Sequence, residues 1–270
     1  MTRIGFIGAG RMGSPMVGRL IETGHRVLVL GRDDEKRRAI AELGATPVSE
    51  PTDAVASAEV VVICAFTDDQ VRAIATPQLL EAIPAGATLV IHTTGSPGTS
   101  AVIAASAPHI GVLDAPVSGG PHDIAAGRLT VFAGGSAADL TRAYPVLSSY
   151  AEPVLHVGPL GAGQQVKLVN NTIFAAQIGL LAAAVRLAEQ LGIDESALLT
   201  ALTHGSGAGR VLENVVRAGS TASFISAVGE FVGKDVAVLR STAAELGISL
   251  GALDPVVDLA VSRPPGEAYS

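Results

Sequence analysis

The chain has no tryptophan and a single cysteine, and its aromatic residues make up only 3% of 270 positions. One cysteine, Cys64, can close no internal disulfide and build no cysteine metal cluster. It ends the apolar run 60–64 and reads as a small buried hydrophobe, not a nucleophile. His25, His92, His109, His156 and His204 lack metal-ligand spacing, so no metal site is expected. His122 is a lone loop histidine and reads as solvated. Positive charge is also scarce. A net charge of −7 leaves no basic patch to neutralise phosphates, which argues against a nucleic-acid partner. No charged-then-apolar leader opens the sequence. The longest apolar stretch, 173–185, is broken by Gln177 and falls short of a membrane span. The expectation is a cytoplasmic protein with no membrane partner.

What is abundant is alanine, valine, leucine and isoleucine, within a hydrophobic fraction of 48%. That is the composition of buried parallel strands and packed helices. A chain of this length can bury a large core and suits two domains. Up to about residue 160, short apolar runs at 4–7, 27–30, 60–64, 88–91, 111–115, 129–133 and 153–157 alternate with helical patterns. This rhythm predicts an α/β fold with an N-terminal Rossmann-type doubly wound sheet, mostly parallel and covered by helices on both faces. Gly158-Pro159-Leu160-Gly161 interrupts it. Beyond lies only helical periodicity, broken near Gly192, Gly205 to Gly209, Gly219 and Gly247. The first helix is predicted from about 161 to 191 as a long interdomain helix, and the remainder as a C-terminal all-α bundle. The sheet domain is placed at 1–160, the helical domain at 161–262 and a flexible tail at 263–270.

The first apolar run leads into Gly8-Ala9-Gly10-Arg11-Met12-Gly13, and a helical pattern (Met12, Met16, Val17, Leu20) follows. Chance spacings are common with 31 glycines, but a G-x-G-x-x-G between a strand and a helix is a dinucleotide-binding signature. Gly8 permits the tight turn, Gly10 lets the backbone approach a pyrophosphate, and Gly13 allows close helix–strand packing. The helix N-terminus offers N–H groups and a positive dipole end to phosphate. Ala9, Arg11 and Met12 join the glycines as expected cofactor contacts.

An NAD-preferring site places a carboxylate at the end of the second strand. Here Gly31-Arg32 follows Leu30, and the Arg32 guanidinium suits a 2′-phosphate. Lys36 lies one helical turn further on, while Asp33 and Asp34 weaken the local positive field. The reading favours NADP over NAD.

Residues 161 to 171 read Gly-Ala-Gly-Gln-Gln-Val-Lys-Leu-Val-Asn-Asn. Lys167 and Asn171 are one helical turn apart and share a face. Val166, Val169, Phe174 and Ile178 are expected to make that surface apolar. A lysine there is either a snorkelling surface residue or an acid–base group. Hydride transfer to or from a carbinol carbon leaves one proton to move at oxygen, and Lys167 could carry it. Burial and a nearby helix N-terminus would both disfavour its cation.

With these residues in place, the chain resembles the β-hydroxyacid dehydrogenase family, which holds 3-hydroxyisobutyrate dehydrogenase and the glyoxylate and succinic semialdehyde reductases. Four motifs carry the resemblance: the glycine turn through Ser14-Pro15-Met16, Asp114-Ala-Pro-Val-Ser-Gly-Gly120, the Gly161 to Asn171 stretch, and Lys234-Asp235. The resemblance implies that Lys167 is the general acid/base. It implies that Ser118, Gly119 and Gly120 hold the substrate carboxylate by hydroxyl and backbone N–H, that Asn171 orients substrate, and that Lys234 lies near nicotinamide and substrate. Thr94 is an expected cofactor contact, although its segment, Thr93-Thr94-Gly95-Ser96-Pro97, departs from the Ser-Thr common there in the family. A serine followed by two glycines can form an anion-binding concavity, whereas Lys-Asp pairs such as Lys234-Asp235 are also common on solvated faces.

The chain departs from the family pattern at Asp123, Ile124 and Ala65-Phe66-Thr67, which puts the substrate in doubt but not the chemistry. A small carboxylate substrate is expected, with Phe231 a further lining residue. Wide apolar faces around Leu180 and Leu187 predict a homodimer or larger. The nearest rivals are weaker. 6-Phosphogluconate dehydrogenases want histidine where Asn170 stands. Imine reductases typically replace the lysine with Asp or Tyr. A non-catalytic dinucleotide-binding module should have lost it.

Overall fold

A computed structural model describes residues 1–261; the tail expected over 263–270 lies outside them. The described residues divide into two compact units, one ending at Lys167 and one beginning at Leu168. The sequence places that break at 160.

The first unit alternates strand and helix. It begins β1 (Arg3–Ile7), α1 (Gly13–Glu22), β2 (Arg26–Leu30), α2 (Asp34–Glu42), β3 (Thr46–Val48), α3 (Pro51–Val55) and β4 (Val60–Ile63). It continues α4 (Asp68–Ile74), α5 (Pro77–Ala82), β5 (Thr88–Ile91), α6 (Pro97–Ser106), β6 (Gly111–Asp114), β7 (Val117–Ser118), α7 (Pro121–Ala125), β8 (Leu129–Gly134), α8 (Ala137–Leu147) and β9 (Ala151–Gly158). Strands β3-β2-β1-β4-β5-β6 lie side by side, all parallel. β8 pairs antiparallel with β6 and β7 and parallel with β9. β4 is an unbroken apolar run and β5 is apolar after Thr88, and every residue of both is buried because both their faces are covered. One face packs Phe6, Met16, Leu20, Val29 and Leu113; the other packs Ile7, Val61, Ile63, Leu89 and Ile103. Two short strands were not legible in the sequence. β3 contains Pro47, which is tolerated because β3 ends the strand order, and β7 is only two residues long.

The order of the strands reverses between β1 and β4, so the carboxyl ends of these two strands flank the topological switch point, where such sheets bind ligands.

α9 (Ala162–Gln190) begins in the first unit and continues into the second, which adds α10 (Glu195–Leu202), α11 (Arg210–Ala218), α12 (Thr221–Leu246) and α13 (Leu253–Val261). The predicted break at Gly219 is the left-handed C-cap of α11, and that at Gly247 is the C-cap of α12. Ala175, Ile178, Val185, Leu212, Val215, Val236 and Val257 form the second core. As a helix of 29 residues with a window hydropathy of 1.6, α9 is long and apolar enough to cross a membrane, which its interrupted apolar run does not suggest. Its contributions to the second core give that composition a different cause. The apolar face expected beside Lys167 includes buried Ile178 but not Val169, which is 60% exposed. Two residues past the lysine, Val169 is turned roughly 200° from it around the helix.

Candidate active site

The glycine turn is built as its spacing requires. Gly8 has φ +106, and a Cβ there would stand 2.2 Å from the Cys64 carbonyl oxygen. The turn after β1 thus lies in backbone contact with the residue after β4. A Cβ on Gly13 would lie 2.1 Å from Gly8 O and 2.9 Å from Phe6 Cε1, so α1 packs against β1 only with glycine in that place. Gly10 differs: nothing lies within 4 Å of its hypothetical Cβ, and its φ is not left-handed. No neighbour of Gly10 demands glycine, and the space beside it is open. α1 also has no side-chain cap and no acid in its first turn, whereas α2, α4, α5, α6 and α8 are each capped by a side chain. Its first N–H groups and dipole suit phosphate.

At the end of β2, Gly31 is buried against Arg37: a Cβ would meet Arg37 Cγ at 2.6 Å, and the Arg37 guanidinium donates to Gly31 O at 2.8 Å. Both nearby carboxylates are engaged. Asp33 caps α2 by accepting from Lys36 N at 2.7 Å, and Asp34 pairs with Arg37 at 2.5 Å. Arg32 is exposed and makes no ion pair among the described residues.

Farther along the sheet, the loops after β4 and β5 are stitched together. Thr93 Oγ1 donates to Ala65 O at 2.9 Å and accepts from Ala65 N at 3.0 Å. Gly95 N donates to Gln164 Oε1 at 2.9 Å, and Gln164 Nε2 donates to Thr93 O at 2.7 Å, so Thr94 is bracketed by anchored neighbours. Asp114, fully buried at the end of β6, accepts from Gly161 N and Gln164 N, each at 2.7 Å. Burial pushes its carboxyl up to about 6, against the pull of these backbone donors. Lys167 follows on the same helix and is buried, at 9% exposure.

The Ser118 loop carries one surprise. Gly119 takes φ +128, a conformation that favours glycine, and Gly120 N donates to Asp123 Oδ2 at 2.8 Å. One N–H expected to hold a substrate carboxylate is therefore occupied by a carboxylate of the protein. Asp123 sits where a helix of this kind places an acid that reaches back to its N-cap, so the signal was local. His122, beside it, is exposed as expected, but it lies on α7 and not in a loop.

In the second unit, Asn171 Nδ2 donates to Asp235 Oδ2 at 2.5 Å, and Asn170 Nδ2 donates to Asn171 Oδ1 at 3.1 Å. Lys234 Nζ lies 2.9 Å from Asp235 Oδ1. The Lys234 and Asp235 side chains are 20% and 17% exposed, so this is no solvated surface pair. Asp235 entered the sequence reading only as the neighbour of Lys234; its hold on Asn171 spans 64 positions and left no local signal.

Two further buried groups are chemically quiet. Burial pushes the Cys64 thiol up to about 12, which leaves it protonated although the residue as a whole is only half-buried. His92 Nδ1 lies 2.6 Å from Ala115 O and its Nε2 2.8 Å from Tyr150 Oη. A carbonyl only accepts, so Nδ1 carries the proton and Nε2 accepts from the tyrosine. Among the described residues no group of acids, histidines and cysteines could hold a metal.

The chain matches two family models end to end. Residues 3–158 match the NAD-binding domain of 6-phosphogluconate dehydrogenase, and residues 161–261 match the NAD-binding domain of NADP-dependent 3-hydroxyisobutyrate dehydrogenase. A probable 3-hydroxyisobutyrate dehydrogenase of Mycobacterium tuberculosis is 38% identical over 210 residues, covering 77% of this chain and 71% of that protein. The NAD-dependent L-serine dehydrogenase of Pseudomonas aeruginosa is 33% identical over 217 residues, 79% of this chain and 73% of the relative. The solved Mycobacterium tuberculosis 3-hydroxyisobutyrate dehydrogenase with L-serine superposes with a TM-score of 0.87 at 29% identity, covering 96% of this chain and 92% of its own. With the glycine turn at the switch point and a buried lysine on α9, these matches place the chain in the β-hydroxyacid dehydrogenase family, as a nicotinamide-dependent dehydrogenase acting on CH–OH groups.

Proposed function

We propose that this protein interconverts a small β-hydroxyacid and its semialdehyde with NADP as the partner, and that Lys167 moves the proton at the reacting oxygen. The observation that carries the reading is a lysine buried on α9 in a unit that also presents an open, uncapped glycine turn. When bound, the nicotinamide takes or gives the hydride. Gly8 to Gly13, with Ala9, Arg11 and Met12, would hold the phosphates; Gly31 and Arg32 would hold the 2′-phosphate; Thr94 would border the cofactor. Exposed, unpaired Arg32 supports NADP, although one relative is NAD-dependent by name.

In the oxidative direction Lys167 accepts the hydroxyl proton as the carbinol carbon loses its hydride; in reduction it returns that proton to the new alcohol. Ser118 and Gly119 bind the substrate carboxylate, Asn171 orients the substrate, and Lys234 adds positive charge near both ligands. The substrate class is a short β-hydroxyacid, with 3-hydroxyisobutyrate and L-serine first in line because relatives carry those names. Imine reduction is less well supported, because the lysine is kept.

A homodimer in the cytoplasm completes the reading. Val169, Ile173, Leu180 and Leu187 on α9 are each 47–60% exposed. At about 100° per residue they fall within roughly 40° of one another, an apolar stripe about 27 Å long on a single helix face.

The test is a spectrophotometric panel: NADP reduction with 3-hydroxyisobutyrate and L-serine, and NADPH oxidation with glyoxylate and succinic semialdehyde. Turnover of at least one, reduced about 100-fold or more in Lys167→Ala, is expected. Protein that binds NADPH yet turns over none of them would overturn the reading.

A further inference from the structure

We propose that Asp114 and Gln164 form a clamp that positions Lys167, and that Gly134 and Gly163 are glycine because a side chain at either would strike Asp114. The catalytic sense of this proposal rests on Lys167 being the proton carrier.

Asp114 uses both carboxylate oxygens on one helix end. Oδ1 takes the Gly161 N–H and Oδ2 the Gln164 N–H, each at 2.7 Å. Two bonds across the first turn of α9 fix its rotation as well as its position, and an anion suits the positive end of the helix dipole. Space for the carboxylate is carved by glycine. A Cβ on Gly134 would fall 2.4 Å from Asp114 Oδ1, and one on Gly163 would fall 2.4 Å from Asp114 O and 2.5 Å from Phe132 O. Gln164 then ties the same turn to the loop after β5 through Thr93 O and Gly95 N. That loop is in turn tied to Ala65 after β4. Lys167 comes three residues after Gln164, on the next turn of the same helix. Its backbone cannot shift relative to Thr94 without breaking bonds to Asp114 or Gln164. An ångström of misplacement at a reacting group costs on the order of 100-fold in rate.

The test is a double-mutant cycle on the panel substrate turned over fastest, with Lys167→Ala, Gln164→Ala and the double variant. Gln164→Ala should lower kcat by about 10- to 100-fold in the otherwise native enzyme. It should cost almost nothing further in the Lys167→Ala background, because the clamp acts through the lysine. Equal losses in both backgrounds would overturn the proposal, since a general structural defect is indifferent to Lys167. Hydrogen exchange gives a readout that needs no substrate. Amides 161–167 should exchange faster in Gln164→Ala and in Asp114→Asn, while the glycine turn at 8–13 stays protected. Unchanged exchange at 161–167 would overturn the clamp itself. Full activity in Lys167→Ala would remove the proton carrier and the proposal's catalytic meaning, a failure that altered exchange at 161–167 tells apart from failure of the clamp.

Discussion

The side-chain amide of Asn171 on α9 is held by the carboxylate of Asp235 on α12, Nδ2 to Oδ2, at 2.5 Å. With Asn170 donating to Oδ1, both ends of the Asn171 amide are assigned and its orientation is fixed. Asp235 also stands 2.9 Å from Lys234 Nζ, so one carboxylate sets two residues expected to meet substrate.

Asp235→Ala should therefore weaken both residues at once. A charge-assisted bond of this kind contributes about 1.5–3 kcal/mol, so kcat/KM should fall roughly 10- to 100-fold. Asp235→Asn should retain part of that loss through the freed charge on Lys234. Steady-state kinetics on both variants decide it; unaltered kcat/KM in Asp235→Ala would remove Asn171 and Lys234 from the substrate site.

Asp123→Ala tests the occupied N–H. The substitution frees Gly120 N and removes a negative charge beside Ser118. KM for a carboxylate substrate should drop several-fold, with NADPH affinity unchanged. A raised KM would mean that Asp123 serves the loop's shape more than it opposes the ligand.

Arg32→Ala should weaken NADPH binding about tenfold or more, the scale of a lost charge-assisted contact, and leave NADH binding alone. Fluorescence titration with both cofactors measures this. Equal weakening of the two would reject a 2′-phosphate role.

Stability between about pH 4 and 6 carries two opposing contributions. Burial depresses His92 from 6.5 to about 4, so the unfolded chain binds its proton first and stability is lost as pH falls through that window. Burial raises Asp114 from 3.8 to about 6, so the folded chain binds its proton first and stability is lost as pH rises through nearly the same window. Each alone is worth roughly 1.4 kcal/mol per pH unit, and together they nearly cancel. His92→Gln should leave the Asp114 slope exposed: relative to the parent protein, its urea midpoint should fall as pH goes from 4 to 6. Parallel midpoint curves would show that His92 titrates normally in the folded protein.

Much of this was legible because it is local. Apolar runs marked seven strands, and glycines at 192, 219 and 247 marked helix ends. Gly8 and Gly13 sit in a spacing whose geometric demands are met within a few residues. The remainder was set by partners distant in sequence. Gly163 could be read as part of a motif, but the carboxylate it makes room for is 49 positions earlier. Gln164 looked like any polar residue at a helix start, yet it binds a loop 69 and 71 positions away. Val169 was misplaced for a simpler reason: an apolar residue adjacent in sequence need not share a helix face.

The turn after β2 is held by Gly31, Asp33 and Arg37, and Arg32 rides on it without contributing to its support. The residue best placed to discriminate between the two nicotinamide cofactors is thus one the fold does not need. On the proposed reading cofactor preference is separable from stability, and Arg32→Ala should change the first while the melting temperature stands still.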